Sequence, residues 1–250
     1  MAESVPRLEK YLKRKSMKKV GTIILFLLIG LTSFSQEYPT RDSVHIFWQP
    51  SVKITYNDYL LGEPQAEMKT LMEKYDFSAD ARVGIWATLD VPEVPKKKKE
   101  RYRQYEKVYF APAFERTTSF AQTNDTLQIE IQNLYFDMCE FWARWARREL
   151  DSLQVQMDNA TGVKAMFYST IKAEMNENRV RMFQHYFEEV IIDKKENGFI
   201  EWRNLIDGML QKTETWTTKP EECYRLMIGM PIEKGYTQAK TIIGDLRKKE

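Results

Sequence analysis

The chain has 250 residues and a formal net charge of +2 at pH 7, with 30% charged and 43% hydrophobic residues. Residues 1–35 contain seven basic and two acidic side chains, so residues 36–250 have a net charge of about −3. This acidic remainder gives no support for nucleic-acid binding, which requires a clustered basic surface. The two cysteines are too few for a disulfide framework.

The N-terminal segment is typical of a secretory signal peptide. Met17 and two lysines precede an apolar run over residues 20–31, and small residues at 33–35 allow cleavage before Gln36. The apolar run is shorter than the roughly 20 residues that a transmembrane helix needs. We therefore expect residues 17–35 to be the signal proper, and we exclude residues 1–16, an upstream extension, from the fold. The remainder is predicted to be periplasmic or extracellular, without a stable membrane span.

Segments rich in β-branched and aromatic residues predict the first strands. Residues 44–48 and 52–56 form two strands around a turn at Gln49-Pro50. Residues 65–75 then predict a helix, because Pro64 suits its first turn.

The next segments also predict strands. Apolar residues alternate with others over residues 83–89, which is typical of a half-buried strand, and Pro92 ends it. Residues 107–114 and 117–121 are two further strands, and Pro112 predicts a bulge or an edge position in the first of them.

The period of the hydrophobic residues becomes helical near Thr126 and stays helical to about Met157, with Asp125 or Asn124 as the cap. Further helices are predicted over residues 162–191, from Phe199 and from Thr237. Strands followed by helices indicate an α+β fold. We predict one domain over residues 36–212, with residues 213–250 as its helical extension.

Two other features leave alternatives open. The four lysines at 96–99 indicate a solvated loop, or else a contact with an anionic surface. Cys139 and Cys223 could pair in an oxidising compartment, but a buried free Cys139 is favoured because it lies within the apolar helix.

The long predicted helix has a spacing that matters for zinc chemistry. In the motif H-E-x-x-H, two histidines on one helix face bind the metal and the glutamate activates its bound water. Ile131, Gln132 and Tyr135 stand at those three positions. None of them can supply the ligands or the base of this mechanism. Ile131 and Tyr135 instead fit a buried apolar stripe with Leu127, Leu134, Met138, Phe141, Trp142 and Trp145.

From Phe136 onward the same segment resembles domain-of-unknown-function family 922, predicted secreted bacterial zinc peptidases with a core near H-E-Q-x-H-F-D-I-x-E-x-x-A-R. Weaker similarities lie at residues 54–64 and 114–120 and at Tyr186 and Trp202, so the resemblance covers roughly residues 48–206. It implies a zincin-like helix in a degenerate member that lacks the metal ligands. The third histidine of the family pattern falls near Ile192.

Two carboxylates of the family pattern are retained, as Asp137 and Glu140. They could approach each other as a hydrolytic pair. The favoured interpretation is structural, because Glu140 and Arg144 make a good i, i+4 ion pair and Asp137 could hold a hydrogen-bond network. The two histidines, His45 and His185, are expected to be hydrogen-bonded or surface residues.

The leading hypothesis is a secreted, non-catalytic peptidase relative that binds a peptide or an envelope protein, without a cofactor. One alternative is a hydrolase with a rearranged site that uses Asp137, Glu140, Glu130 or His185. The other is a purely structural envelope protein. An exposed aromatic groove beside Tyr135 would favour binding, and a filled site would favour a structural role.

Overall fold

The computed structural model describes residues 38–62, 64, 66–93 and 104–240. The predicted signal peptide at 17–35 and the lysine run at 96–99 lie outside these residues. Within them the class is α+β, as predicted, with five α-helices, a four-stranded antiparallel sheet and a small mixed sheet.

The elements follow one another along the chain in this order: β1 (His45–Phe47), β2 (Leu60–Leu61), α1 (Ala66–Tyr75), β3 (Ala79–Asp80), β4 (Val83–Pro92), β5 (Lys107–Glu115), β6 (Phe120–Ala121), α2 (Thr126–Gln156), α3 (Val163–Phe187), α4 (Gly198–Lys212), α5 (Pro220–Ile228) and β7 (Tyr236–Gln238). The large sheet has the order β1-β5-β4-β7 and the small sheet the order β2-β6-β3. Helix α2 packs on β5, β4, α3 and α4, so it is the central element of the core.

The ends of α2 and α3 follow from their local sequences. Asp125 caps α2 as predicted, because its Oδ1 accepts hydrogen bonds from the backbone N–H of Leu127 at 2.8 Å and Gln128 at 3.3 Å. The predicted helix over 162–191 is α3, which continues into a π-helical turn, Glu188–Ile192.

The alternation predicted for residues 83–89 is confirmed as β4, but the strand is not half-buried along its whole length. Leu89 is buried on one side, and Thr88 and Asp90 are buried as well. Asp90 is covered because Arg225 of α5 donates two hydrogen bonds to its carboxylate, at 2.7 and 2.5 Å. Helix α5 therefore closes the face that the pattern assigned to solvent.

The strand predicted over residues 52–56 is wrong. This segment is irregular and leads into a 3₁₀ turn, Tyr56–Asp58. The side-chain amide of Asn133 replaces a strand partner for Ile54: it accepts from Ile54 N at 2.9 Å and donates to Ile54 O at 2.9 Å. A side chain of α2 thus makes the hydrogen bonds to the backbone of Ile54 that a neighbouring strand would otherwise make.

The bulge predicted at Pro112 is absent, but the edge position is present on one side of β5, because β1 pairs only with residues 113–115. Strand β5 is central in its sheet, and its register with β4 runs without interruption through Pro112. Trp48 N donates to Pro112 O at 3.0 Å, but proline cannot donate in return. Gln49 Nε2 donates to Trp48 O at 2.6 Å instead. The neighbouring glutamine therefore supplies the missing donor.

The helix predicted from Thr237 is wrong at its start, because residues 236–238 form β7. This strand pairs with the free edge of β4, with Val91 opposite Thr237. Residues 241–250 lie outside the described part. Cys139 and Cys223 are separate, buried thiols, which agrees with the favoured free Cys139. None of the described helices is long and apolar enough to cross a membrane.

Candidate functional site

The N-terminal half of α2 carries the positions that match the zinc motif. Ile131 and Tyr135 are buried, as the apolar stripe predicts, together with Leu134 and Met138. Leu127 departs from that stripe because it is 55% exposed near the start of the helix. Gln132 is engaged in the fold, since its Oε1 accepts from Ala81 N at 3.1 Å.

Helix α3 covers this face of α2. The Tyr135 hydroxyl accepts a hydrogen bond from Arg179 Nη1 at 2.5 Å, and its ring centroid lies 4.1 Å from that of Phe183. One helical turn away, the Tyr186 hydroxyl donates to Ile131 O at 2.9 Å. Burial raises the pKa of Tyr135 and of Tyr186 above the ordinary tyrosine value, so both remain neutral phenols. The side chains of α3 therefore fill the space beside Tyr135. The positively charged group next to Tyr135 is the guanidinium of Arg179.

Asp137 joins α2 to two other parts of the chain. Its Oδ1 accepts from Trp48 Nε1 at 2.7 Å, and its Oδ2 accepts from Arg203 Nη1 at 2.6 Å. Arg203 also bonds to Asp207 on α4. The hydrogen-bond network suggested for Asp137 is therefore present, and it is partly exposed.

Glu140 is fully buried and has fixed donors on both carboxylate oxygens. Arg144 Nε donates to Oε1 at 2.7 Å, which confirms the predicted i, i+4 ion pair. Thr218 donates twice: its N–H to Oε1 at 2.9 Å and its hydroxyl to Oε2 at 2.5 Å. Asp137 and Glu140 therefore receive their hydrogen bonds from different groups.

The other residues considered for a site are scattered. Ile192, at the position of the third histidine, is 43% exposed at the end of the π-helical turn. Glu130 pairs with Lys53 at 3.3 Å. His185 is exposed on α3, and His45 stacks edge-on against Trp86 at 4.6 Å. Among the described residues, no three His, Cys, Asp or Glu side chains lie together as metal ligands.

A second set of buried charges, not predicted from the sequence, lies next to Glu140. Arg147 donates to the carbonyls of Phe110 and Trp216 and to Thr218 Oγ1, the last at 2.5 Å. Glu222 of α5 lies 3.4 Å from the same guanidinium, and burial raises its pKa despite this pairing. Glu140, Arg144 and Arg147 stand at positions i, i+4 and i+7, so their three charges lie on one face of the helix. This spacing is the feature of the sequence from which the network could have been predicted.

These contacts fix the connection between α4 and α5. Besides its pairing with Glu140, Arg144 Nη1 donates to Leu210 O at 2.7 Å, and its guanidinium lies 5.1 Å from the centroid of the Trp48 ring. We call Glu140, Arg144, Arg147, Thr218 and Glu222 the anchor network. The anchor network has a structural role, because the donors that bond to each carboxylate also hold backbone groups in place.

Comparisons with protein-family models, curated proteins and solved structures find no match for this chain. The similarity to the zinc-peptidase pattern therefore stands on its residues alone.

Proposed function

We propose that this chain is a secreted, non-catalytic relative of zinc peptidases that acts as a binding or envelope-associated module. The observation that carries the proposal is the closure of the motif-bearing face of α2 by Arg179, Phe183 and Tyr186. A catalytic zinc site needs three protein ligands and an open position for water or substrate. Neither the residues at 131, 132 and 135 nor the space around them meets that need.

The alternative of a rearranged hydrolase receives less support. A general base needs a lone pair that can reach a substrate proton. Both oxygens of Glu140 accept from buried donors, and both oxygens of Asp137 accept from Trp48 and Arg203. Recruiting either carboxylate for catalysis would require these bonds to break.

The filled space beside Tyr135 bears on the choice between a binding and a structural role. A peptide groove at this place would leave Tyr135 exposed, whereas its ring is buried against Phe183. This observation favours a structural role for α2 itself. A binding function would therefore use another surface of the molecule.

The first test is metal content. The purified chain is incubated with zinc, freed of excess metal and analysed by mass spectrometry for metal per chain. We expect a value near zero. About one tightly held zinc per chain would contradict the proposal and would mean that other residues had replaced the lost ligands.

A second measurement tests hydrolysis directly. The wild-type chain and Asp137→Asn are incubated with a broad peptide library, with Glu149→Gln as a control for surface charge. No turnover above buffer is expected from any of them. Turnover by the wild type and by Glu149→Gln that Asp137→Asn abolishes, with its fold intact, would establish the rearranged hydrolase instead.

Localisation needs its own test. The chain is expressed with its N-terminal segment in a bacterial host, and the cell fractions are separated. We expect the protein in the periplasm or the medium, with a mature N-terminus at Gln36 by mass spectrometry. An uncleaved chain confined to the cytoplasm would contradict the secretion prediction.

A further inference from the structure

A cavity of about 350 Å³ lies between α1, the small sheet and the turn that follows β5. This volume falls in the range of small-molecule and side-chain pockets. Three charged side chains line it, together with two hydroxyls and two apolar residues: Asp80, Arg82, Glu115, Thr117, Thr118, Met68 and Phe120.

The charged groups of this cavity differ from those of the anchor network because they hold little of the fold. Asp80 Oδ2 pairs with Arg82 Nε at 3.1 Å, and the Arg82 side chain is more than half exposed. Glu115 Oε1 accepts from the exposed hydroxyl of Thr117 at 3.2 Å. Two carboxylates against one guanidinium give the ionised cavity a net charge of −1. Asp80 Oδ2 is itself buried beside Arg82, so Asp80 Oδ1 and the carboxylate of Glu115 are the acceptors left for a ligand.

The backbone that carries these side chains is fixed. Arg82 N donates to the hydroxyl of the buried Ser119 at 2.9 Å, and that hydroxyl donates to Glu115 O at 2.6 Å. Glu115 N also donates to Arg82 O at 2.9 Å. A site whose polar groups are already positioned loses less entropy on binding.

Burial affects the acidic groups at and beside the cavity. Burial raises the pKa of Asp80 above its ordinary value, and Arg82 only partly opposes this rise. Tyr59 is buried nearby with no hydrogen-bond partner for its hydroxyl, and burial and the charge of Asp80 raise its pKa. A cation placed in the cavity would stabilise the ionised form of Asp80.

An apolar surface continues from the cavity wall. Phe120 pairs in the small sheet with Leu60, whose side chain lies on the same face of that sheet and is 40% exposed. A ligand with apolar groups on either side of its charge could cover this surface. A peptide has this form, whereas a free amine does not.

We propose that this cavity binds the basic side chain, arginine or lysine, of a peptide or protein partner. The ammonium or guanidinium group lies between Asp80 and Glu115, its aliphatic stem packs on Met68 and Phe120, and the flanking residues cover Leu60. The inference goes beyond the proposed function, since it applies equally to a catalytic and a non-catalytic chain.

Isothermal titration calorimetry on the purified chain tests this assignment. The probes are acetyl-Ala-Arg-Ala-amide, its neutral analogue with citrulline in place of arginine, and propylguanidine, which has the same single charge without flanking residues. We expect saturable binding of the arginine peptide and at least about tenfold weaker binding of the citrulline peptide. Equal affinity for both peptides, or no saturable binding of the arginine peptide up to about 10 mM, would overturn the proposal. Tighter binding of propylguanidine than of the arginine peptide would overturn the assignment to a peptide.

Variants place the binding in this cavity. Glu115→Gln is expected to weaken binding of the arginine peptide by about tenfold, and Asp80→Asn to weaken it by a similar factor. Glu130→Gln, the same change at another partly exposed carboxylate, is the control and should change affinity by less than about twofold. Circular dichroism checks that each variant is folded. If Glu115→Gln and Asp80→Asn both bind like the wild type, the proposal is wrong, whatever the metal measurement shows.

Discussion

The two halves of α2 are held by different forces. Around Ile131 and Tyr135 the helix packs on α3 through aromatic and aliphatic side chains, with a hydroxyl–guanidinium contact to Arg179. From Glu140 to Arg147 it presents buried charges to the 210–222 segment, and nearly every one of them is bonded to backbone or to an opposite charge.

This difference shows what each half does. Ile131 and Tyr135 are held by packing, which neighbouring side chains can adjust at modest cost. Glu140 serves as an anchor, and a buried charge that loses its partner is costly. The second half of α2 should therefore control stability, and the first half should tolerate change.

The largest effect is expected from Glu140→Ala. The substitution leaves Arg144 without its carboxylate and leaves two Thr218 donors unpaired, so the free energy of unfolding should fall by about 3–5 kcal/mol. Urea denaturation followed by circular dichroism measures it. The control is Glu149→Ala on the same helix, a partly exposed carboxylate beside Arg148, which should cost less than about 0.5 kcal/mol. Equal losses of stability in Glu140→Ala and Glu149→Ala would contradict the role of the second half of α2 as the anchored one.

Tyr135→Phe should have a smaller effect. The ring stays against Phe183, but Arg179 loses its hydroxyl acceptor, so we expect a loss of about 1–2 kcal/mol. A double-mutant cycle with Arg179→Met isolates the hydroxyl–guanidinium contact, since the loss from Tyr135→Phe should shrink when Arg179 is absent. A loss from Tyr135→Phe as large as that from Glu140→Ala would mean that the first half is anchored as firmly as the second.

Asp137 lies at the boundary between the two halves. Asp137→Asn should lower the free energy of unfolding by less than Tyr135→Phe does. Asparagine can still accept from Trp48 Nε1, and the lost ion pair with Arg203 is partly exposed to solvent. A loss of about 0.5–1 kcal/mol is expected, and it should shrink at high salt because exposed charges are screened. A salt-independent loss above that range would place Asp137 with the buried anchors.

Elements with a strong local pattern were predictable from the sequence. The two-residue alternation gave β4, and the helical period with Asp125 as cap gave α2. The errors share one cause, which is a partner far away in the chain. The backbone of Ile54 bonds to the side chain of Asn133, and β7 pairs with β4 at Val91. The structure of each segment therefore cannot be predicted from its own residues.

The site was predictable to a similar extent. The ion pair of Glu140 with Arg144 follows from spacing, and the loss of zinc ligands follows from residue identity. The burial of this pair depends on Thr218, 78 positions away from Glu140. Arg179 and Phe183 cover the face of α2 that carries Tyr135. Nothing in the sequence around these residues predicts that they contact Tyr135. Tertiary contacts of this kind decide whether a carboxylate is free to react or is held in place.

The finest distinction between the two halves concerns the two thiols. Burial raises the pKa of Cys139 to about 11 and that of Cys223 to about 12, so at pH 8 only about one thiol in a thousand or fewer is ionised. Iodoacetamide should label neither thiol in the folded chain and both in denaturant. Cys139 lies one turn beyond Tyr135, whereas Cys223 lies in α5, close to the anchored Thr218. Tyr135→Phe should therefore speed labelling of Cys139 more than that of Cys223, and Glu140→Ala should do the reverse. Equal acceleration of both thiols in either variant, measured by peptide mass spectrometry, would show that the two halves of α2 open together.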